Sequence, residues 1–283
     1  QTASGSESLA VEVGKVETQT AGGAETHFKT ECAADLQKAD IPPVKGVVAG
    51  VRPVGLSLIA GRPKCGKSWL ELARACAIAQ GLPFWGAETE GGDILYLALE
   101  DSRARIQARM RTILGDGVPW PSALHFGLEW RKIDRGGLDD LRAWLDAHPL
   151  AAEIVVDTFP RIRGTRQRGG DSYQADYEEM AALQRLAIER NVAIVGVLHT
   201  RKMQADDPFD AVSGTLGTNA SADCIEVLAK VKSGGTVLHR TSRDFESGAW
   251  NLDFDGGLWS CAGEATDNER AEEGRAVVFL QEL

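Results

Sequence analysis

The chain has 283 residues, 43% of them apolar, and a formal net charge of −10. This size and apolar content suffice for one α/β domain of about 230 residues plus a tail, which excludes a chain that is disordered throughout. The negative charge excludes a protein coated with basic residues for nucleic acid, although a local basic patch remains compatible with it.

The composition also argues against membrane and secreted classes. No run reaches about eighteen apolar residues, and the first residues lack the charged-then-apolar order of a signal peptide. The five cysteines are odd in number and include no Cys-x-x-Cys pair, which argues against a zinc site and a disulfide framework. We therefore expect a cytoplasmic protein with reduced thiols and no membrane partner.

The two ends of the chain differ in composition from its middle. Residues 1–37 are rich in small and polar residues with few large apolar ones, so they are predicted to form a disordered arm. Residues 38–262 are predicted to form the main domain. Residues 263–283 are predicted to be a helical tail that could begin a further domain.

The first predicted strand, 56–60, leads directly into a glycine-bracketed loop and then into a predicted helix, 69–80. This order of strand, glycine loop and helix is typical of a phosphate-binding loop, in which backbone N–H groups point at the phosphates. Lys67 would reach the β- and γ-phosphates, and the Ser68 hydroxyl would bind Mg²⁺. A chance glycine loop is the alternative interpretation. The predicted nucleotide-binding residues are Gly61, Arg62, Pro63, Lys64, Cys65, Gly66, Lys67, Ser68 and Trp69.

Apolar runs and helical patterns alternate after this loop, as a parallel sheet flanked by helices requires. A strand meander with glycine turns is predicted to follow. The sequence therefore predicts an α/β fold with a mostly parallel central sheet and a C-terminal antiparallel meander. The predicted strands after the loop are 93–100, 124–128, 153–158, 192–200, 224–231, 236–242 and 250–254, and the predicted helices are 102–114, 138–148 and 173–191.

Three predicted strands end in a polar residue, where ligands of open α/β sheets bind. Asp157 ends one strand and is predicted to help hold Mg²⁺, or else only ends the strand. Glu100 is predicted to activate the attacking water, with a role at the start of the next helix as the alternative. His199 is predicted to contact the γ-phosphate, or to be an ordinary solvated histidine.

A basic, glycine-containing loop follows the Asp157 strand, and a weaker one follows His199. Such loops can bind a phosphodiester backbone, whereas a merely solvated loop or an acidic protein neighbour is the alternative. The predicted DNA-binding residues are Arg161, Arg163, Arg166, Arg168, Arg201 and Lys202.

The order of these motifs over about residues 38–262 resembles the RecA-fold P-loop ATPases of the plasmid RepA hexameric helicase type. The resemblance implies a homo-oligomeric ring, often a hexamer, that binds ATP and Mg²⁺ between subunits and passes single-stranded DNA through its centre. It gives Glu100 the role of catalytic base and His199 that of γ-phosphate sensor. Either Arg243 or Arg240 would act on the neighbouring subunit's ATP, and Arg243 fits the family's Arg-Asp pair better.

Two function classes follow from these motifs. The first is a ring-forming ATPase motor, a DNA helicase or translocase of plasmid or phage replication. The second is an ATP-dependent switch or loader that binds partners or DNA without unwinding. A small-molecule kinase fits less well, because no separate basic lid insertion is evident.

Overall fold

A computed structural model describes residues 30–41, 46–165, 172–200, 208–212, 219–231 and 234–266. The chain divides into two units, Gln1–Pro43 and Val44–Leu283. In the first unit the described residues include one short helix, α1 (Ala33–Leu36), which buries no side chain. No helix in the described ranges is long and apolar enough to cross a bilayer.

The second unit is built around one large, mostly parallel sheet. In the described residues its strand order is β11-β10-β9-β8-β3-β7-β6-β4-β5, and β1 and β2 form a separate antiparallel pair. Six neighbouring strands of this sheet are parallel to one another, and β9, β10 and β11 are antiparallel to their neighbours. The parallel strands are β8, β3, β7, β6, β4 and β5. The strands are β1 (Gly46–Val48), β2 (Arg52–Pro53), β3 (Gly55–Gly61), β4 (Asp93–Ala98), β5 (Leu124–Gly127), β6 (Ala151–Asp157), β7 (Ala193–His199), β8 (Cys224–Lys230), β9 (Thr236–Ser242), β10 (Gly248–Asp255) and β11 (Leu258–Glu264).

Helices cover both faces of this sheet. Alternate residues of each strand face opposite sides, so Leu58 belongs to one core and Ile59 to the other. The Ile59 side packs against α2 (Lys67–Gln80) and α3 (Arg103–Leu114), and the Leu58 side packs against α4 (Gly137–Ala147) and α5 (Ser172–Arg190). The central strands are therefore buried on both faces, which explains their continuous apolar sequences.

The predicted α/β class and the predicted antiparallel meander are both confirmed, and each predicted strand and helix of the sheet domain is present to within about two residues at its ends. The prediction missed β11, which pairs with β10 through the turn at Gly256 and Gly257. β11 continues to Glu264, inside the predicted tail, and most of that tail lies outside the described residues, as does most of the predicted arm. The two boundaries between the three predicted segments therefore remain predictions.

A fully buried cluster of charges lies beneath α2. Glu71 and Glu226 each accept hydrogen bonds from both Arg52 and Arg74, at 2.9–3.3 Å. Glu153 is different: its nearest cation atom, Arg52 Nε, is 3.9 Å away, and neither of its carboxylate oxygens has a hydrogen-bond partner in the described structure. Burial accordingly raises the pKa of Glu153 to about 7, against the attraction of Arg52.

This raised pKa predicts that the free energy of unfolding falls as the pH rises. Below the unfolded-state pKa near 4.5, Glu153 is protonated in both the folded and the unfolded protein. The stability that comes from tighter proton binding in the folded protein is lost as the pH rises through the folded-state pKa of about 7. Replacing Glu153 with Gln, which imitates the protonated acid, should therefore make the variant more stable than the wild type above pH 7 by a few kcal/mol. Denaturant unfolding at pH 5 and pH 8 measures this difference, with exposed Glu189→Gln as the control. Equal pH dependence in wild type and Glu153→Gln would contradict it.

Candidate nucleotide site

A cavity of about 530 Å³ opens at the carboxyl ends of β3, β4, β6 and β7. This is the position at which open α/β sheets bind ligands. It brings together the predicted phosphate loop and all three predicted polar strand ends. Its walls are formed by Pro63, Lys64, Gly66, Lys67, Ser68, Trp69, Glu100, Asp101, Arg105, Arg109, Asp157, Thr158, Val197, His199 and Phe254.

The loop from Gly61 to Gly66 turns tightly from β3 into α2. Gly66 is the N-cap of α2 and has a left-handed φ of 101°. Gly61 is needed for close packing, because a Cβ there would lie 2.7 Å from the Leu228 carbonyl oxygen. The loop thus delivers the amino terminus of α2 to the cavity, which is a favourable position for phosphate.

The Lys67 side chain donates hydrogen bonds to the backbone of this loop. Its Nζ donates to the carbonyl oxygens of Gly61 and Arg62 at 2.8 and 3.0 Å and lies 3.4 Å from Nδ1 of His199. Burial lowers the pKa of the Lys67 ammonium, although Cys65 and Asp157 partly oppose the shift. A phosphate group would restore an anionic partner to this buried cation.

Trp259, from the unpredicted strand β11, fixes the same loop from outside. Its Nε1 donates to the Gly66 carbonyl oxygen at 3.0 Å, and its own carbonyl oxygen accepts from Nε1 of Trp85 at 3.1 Å. A Cβ on Gly66 would lie only 2.6 Å from the Trp259 ring. The antiparallel end of the sheet therefore supports the phosphate loop directly.

Asp157 lies at the floor of the cavity and is 5% exposed. Its carboxylate accepts from the Tyr96 hydroxyl at 3.0 Å and is within hydrogen-bonding reach of the Ser68 hydroxyl. Burial raises the pKa of Asp157, and these two hydrogen bonds oppose the shift. A buried carboxylate beside a hydroxyl fits Mg²⁺, which takes few protein ligands and fills its shell with phosphate and water oxygens. The described residues contain no cluster of three or more acidic, His or Cys side chains that could hold a metal alone.

Glu100 stands at the cavity's edge and is held by two donors. Its Oε1 accepts from Oγ1 of Thr158 at 3.1 Å and from Nε of Arg161 at 3.2 Å. The neighbouring Asp101 does not cap α3, because Ser102 does so through its side chain. The Glu100 side chain takes no part in that cap and is 46% exposed to solvent.

One side of the cavity combines Trp69, which was predicted to bind nucleotide, with Arg105, Arg109 and Phe254, which were not predicted. Asp101 pairs with Arg105 and Arg109, and the Arg109 guanidinium lies 5.3 Å from the centre of the Trp69 ring. Phe254 packs edge-on against Trp69 at 6.4 Å. The spacing of Arg105 and Arg109, four and eight residues after Asp101, is a signal that could have placed them on one helix face. An aromatic and guanidinium wall of this kind can pack against a planar base.

The predicted DNA-binding residues divide into three groups. Arg161 is 60% exposed and pairs with Glu100, which lines the cavity. Arg163 is only 15% exposed and pairs with Asp176 and Glu179, so internal ion pairs occupy it. The remaining four lie outside the described residues: Arg166, Arg168, Arg201 and Lys202.

Neither candidate interface arginine lines its own chain's cavity. Pairing of β9 with β8 places Ser242 opposite Cys224, at the end of the parallel sheet away from the phosphate loop. Arg240 is 7% exposed and its guanidinium lies 4.3 Å from the centre of the Trp250 ring. Arg243 is 55% exposed and contacts Asp223 and the Ala220 carbonyl oxygen. Of the two, only Arg243 has a side chain accessible to a neighbouring molecule.

Comparisons with known proteins agree with this fold. A family model described as AAA domain (AAA_25) matches residues 24–205. No curated protein matches the chain. A solved structure described as an ATPase domain superimposes with a TM-score of 0.57 at 14% sequence identity, over 80% of this chain and 94% of that one. At this identity the likeness shows the fold alone, whereas the family match covers more than half of the chain. The chain therefore belongs to the AAA domain family and is a P-loop ATPase with a RecA-like fold.

Proposed function

We propose that the chain is an ATP-hydrolysing motor of the RepA type, which acts on single-stranded DNA as a homo-oligomeric ring. The observation that carries this proposal is the convergence of Lys67, Ser68, Glu100, Asp157 and His199 on one cavity, each from a different strand end or from the phosphate loop. These are the residue types that phosphoryl transfer to water requires.

In the proposed reaction Glu100 accepts a proton from water while the water oxygen forms a bond to the γ-phosphorus. The bond from the γ-phosphorus to the β–γ bridging oxygen breaks, and its electron pair leaves with ADP. Lys67 is placed to neutralise charge on the β- and γ-phosphate oxygens, and His199, 3.4 Å from its ammonium, to contact the γ-phosphate. The products are ADP and inorganic phosphate.

Ser68 and Asp157 are the residues that would hold Mg²⁺. The ion would supply positive charge to the β- and γ-phosphate oxygens when bound. Tyr96 has a supporting role, because its hydroxyl donates to Asp157 and so fixes the orientation of that buried carboxylate. The Trp69, Arg109 and Phe254 wall is the proposed surface for the purine base.

A ring is proposed because the cavity, as far as the described residues form it, supplies no uncommitted arginine to complete the charge on the γ-phosphate. Arg105 and Arg109 are engaged by Asp101, and Arg161 by Glu100. Arg243 also has an internal partner, Asp223, but its side chain is 55% exposed at the end of the sheet away from the phosphate loop, which suits contact with another subunit's site rather than its own. We propose Arg243, rather than the buried Arg240, as the arginine supplied across the interface, in a ring that is often a hexamer in this type of ATPase.

One observation favours the second candidate function, an ATP-dependent switch or loader. Arg163 was predicted to bind DNA, but it forms internal ion pairs with Asp176 and Glu179. Among the described residues of that loop, Arg161 is therefore the arginine that is exposed. Fewer available cations weaken the case for a protein that tracks along a phosphate backbone.

Steady-state ATP turnover with and without oligo(dT) separates the two functions, on protein whose assembly state is fixed by mass measurement. For the motor we expect oligo(dT) to raise turnover, and the rise to shrink as salt increases. Arg243→Ala should lower turnover by about 10³-fold or more, as loss of a transition-state arginine does. Exposed Arg142→Ala, on α4, is the control. A nucleotide-dependent change in partner or DNA affinity, with slow turnover that oligo(dT) leaves unchanged, would instead support the switch.

A further inference from the structure

The candidate base Glu100 and the basic loop meet in one ion pair. Nε of Arg161 donates to Oε1 of Glu100 at 3.2 Å, and Oγ1 of Thr158 donates to the same oxygen at 3.1 Å. A general base must offer a carboxylate oxygen to water. Oε1 already accepts two hydrogen bonds, so only Oε2 is left to accept from water, in the one orientation that the ion pair holds.

The backbone that carries Arg161 is rigidly placed. Phe159 and Ile162, on either side of it, are 1% and 0% exposed. The backbone N–H of Arg161 donates to the Thr158 carbonyl oxygen at 3.0 Å, and that of Ile162 donates to the Phe159 carbonyl oxygen at 3.1 Å. Releasing Glu100 therefore requires movement of the Arg161 side chain only.

The pair itself is easily broken from outside. The Arg161 side chain is 60% exposed and that of Glu100 is 46% exposed. An exposed pair of this kind contributes little to stability, because water and salt screen it. A phosphate diester offers the planar guanidinium two anionic oxygens for bidentate hydrogen bonding, and a polyanionic strand offers many such groups.

We propose that Arg161 is a positioning residue that restrains Glu100 and releases it when a backbone phosphate of single-stranded DNA binds the Arg161 guanidinium. Polynucleotide binding is thereby coupled to hydrolysis through one side chain, without a change in the fold. Thr158 keeps the released carboxylate oriented toward the cavity. This inference rests on the proposed function, since it takes Glu100 as the base and single-stranded DNA as the partner.

The test is the steady-state ATP turnover of wild type, Arg161→Ala and Arg161→Lys, each measured with and without oligo(dT). Arg161→Ala should raise the turnover without DNA by about two- to fivefold, the range expected for loss of an exposed ion pair. Its KM for ATP should stay unchanged, and oligo(dT) should add little further stimulation. Arg161→Lys keeps a cation and should restore both the low basal turnover and much of the stimulation. Arg142→Ala, which removes another half-exposed, ion-paired arginine, should match the wild type.

The outcomes distinguish this inference from the proposed function. If oligo(dT) stimulates the wild type and Arg161→Ala keeps a low basal turnover with full stimulation, the restraint is overturned while the motor stands. In a second outcome, oligo(dT) leaves wild-type turnover unchanged, Arg161→Ala raises turnover, and Arg161→Lys reverses that rise. This outcome would support the restraint of Glu100 by Arg161 and overturn single-stranded DNA as the ligand that releases it. Absence of ATP turnover in every variant would overturn both. A folding defect cannot imitate the expected result, because it would lower turnover.

Discussion

Replacing Glu100 with Gln is expected to lower ATP turnover by about 10²- to 10⁴-fold while leaving ATP affinity within a few-fold of the wild type. The amide keeps the shape of the side chain and can still accept from Thr158 Oγ1, but it cannot take a proton from water. The proposed phosphate contacts, made by Lys67, Ser68 and the amino terminus of α2, do not involve Glu100, so binding should survive.

Two measurements check this expectation: turnover under saturating ATP and titration calorimetry with ATP. Glu129→Gln, an exposed carboxamide substitution away from the cavity, is the control and should leave both unchanged. Wild-type turnover in Glu100→Gln would show that another group activates the water. A parallel loss of turnover and affinity would instead assign Glu100 to nucleotide binding.

The sequence predicted most of the sheet because the information lies in short segments. The run from Leu56 to Ala60 is apolar since β3 is covered on both faces, and the glycines that follow it have a local steric reason. Asp157 and His199 could be assigned to one edge because parallel strands bring their carboxyl ends together. Spacing along the chain is sufficient for each of these inferences.

The features that were missed depend on contacts between distant segments. Trp259 supports Gly66, 193 residues away, and nothing in the local sequence of either residue indicates the contact. The buried cluster joins Arg52 and Glu226 across 174 residues, so its charges look like ordinary surface residues in the sequence. Arg163 was predicted to bind DNA from the basic composition of its loop, whereas acidic side chains of α5 pair with it. Sequence patterns report periodicity and strand ends, but not which side chains meet across the fold.

A second large effect is expected for Gly66→Ala, because Trp259 contacts the phosphate loop at this residue. Alanine at a left-handed φ of 101° costs about 1–2 kcal/mol, and its Cβ would lie 2.6 Å from the Trp259 ring. To accommodate it, either the loop or Trp259 must move, and the hydrogen bond from Trp259 Nε1 to the Gly66 carbonyl is lost. Overpacking of this kind costs about 1–3 kcal/mol, so ATP affinity should fall by roughly 10- to 100-fold.

The control Gly86→Ala separates the cost of the Cβ clash from the cost of a left-handed backbone. Gly86 also has a positive φ, 82°, but a Cβ there would meet nothing within 4 Å, so it should lose some stability and no ATP affinity. Trp259→Leu should relieve the clash and return part of the affinity to Gly66→Ala, although Trp259→Leu alone weakens binding by removing the Nε1 donor. Calorimetry with ATP on the single and double variants measures this non-additivity. Strictly additive losses would mean that Trp259 supports the loop without restricting residue 66. Recovery in the double variant would establish that β11, at the far antiparallel end of the sheet, sets the shape of the nucleotide loop.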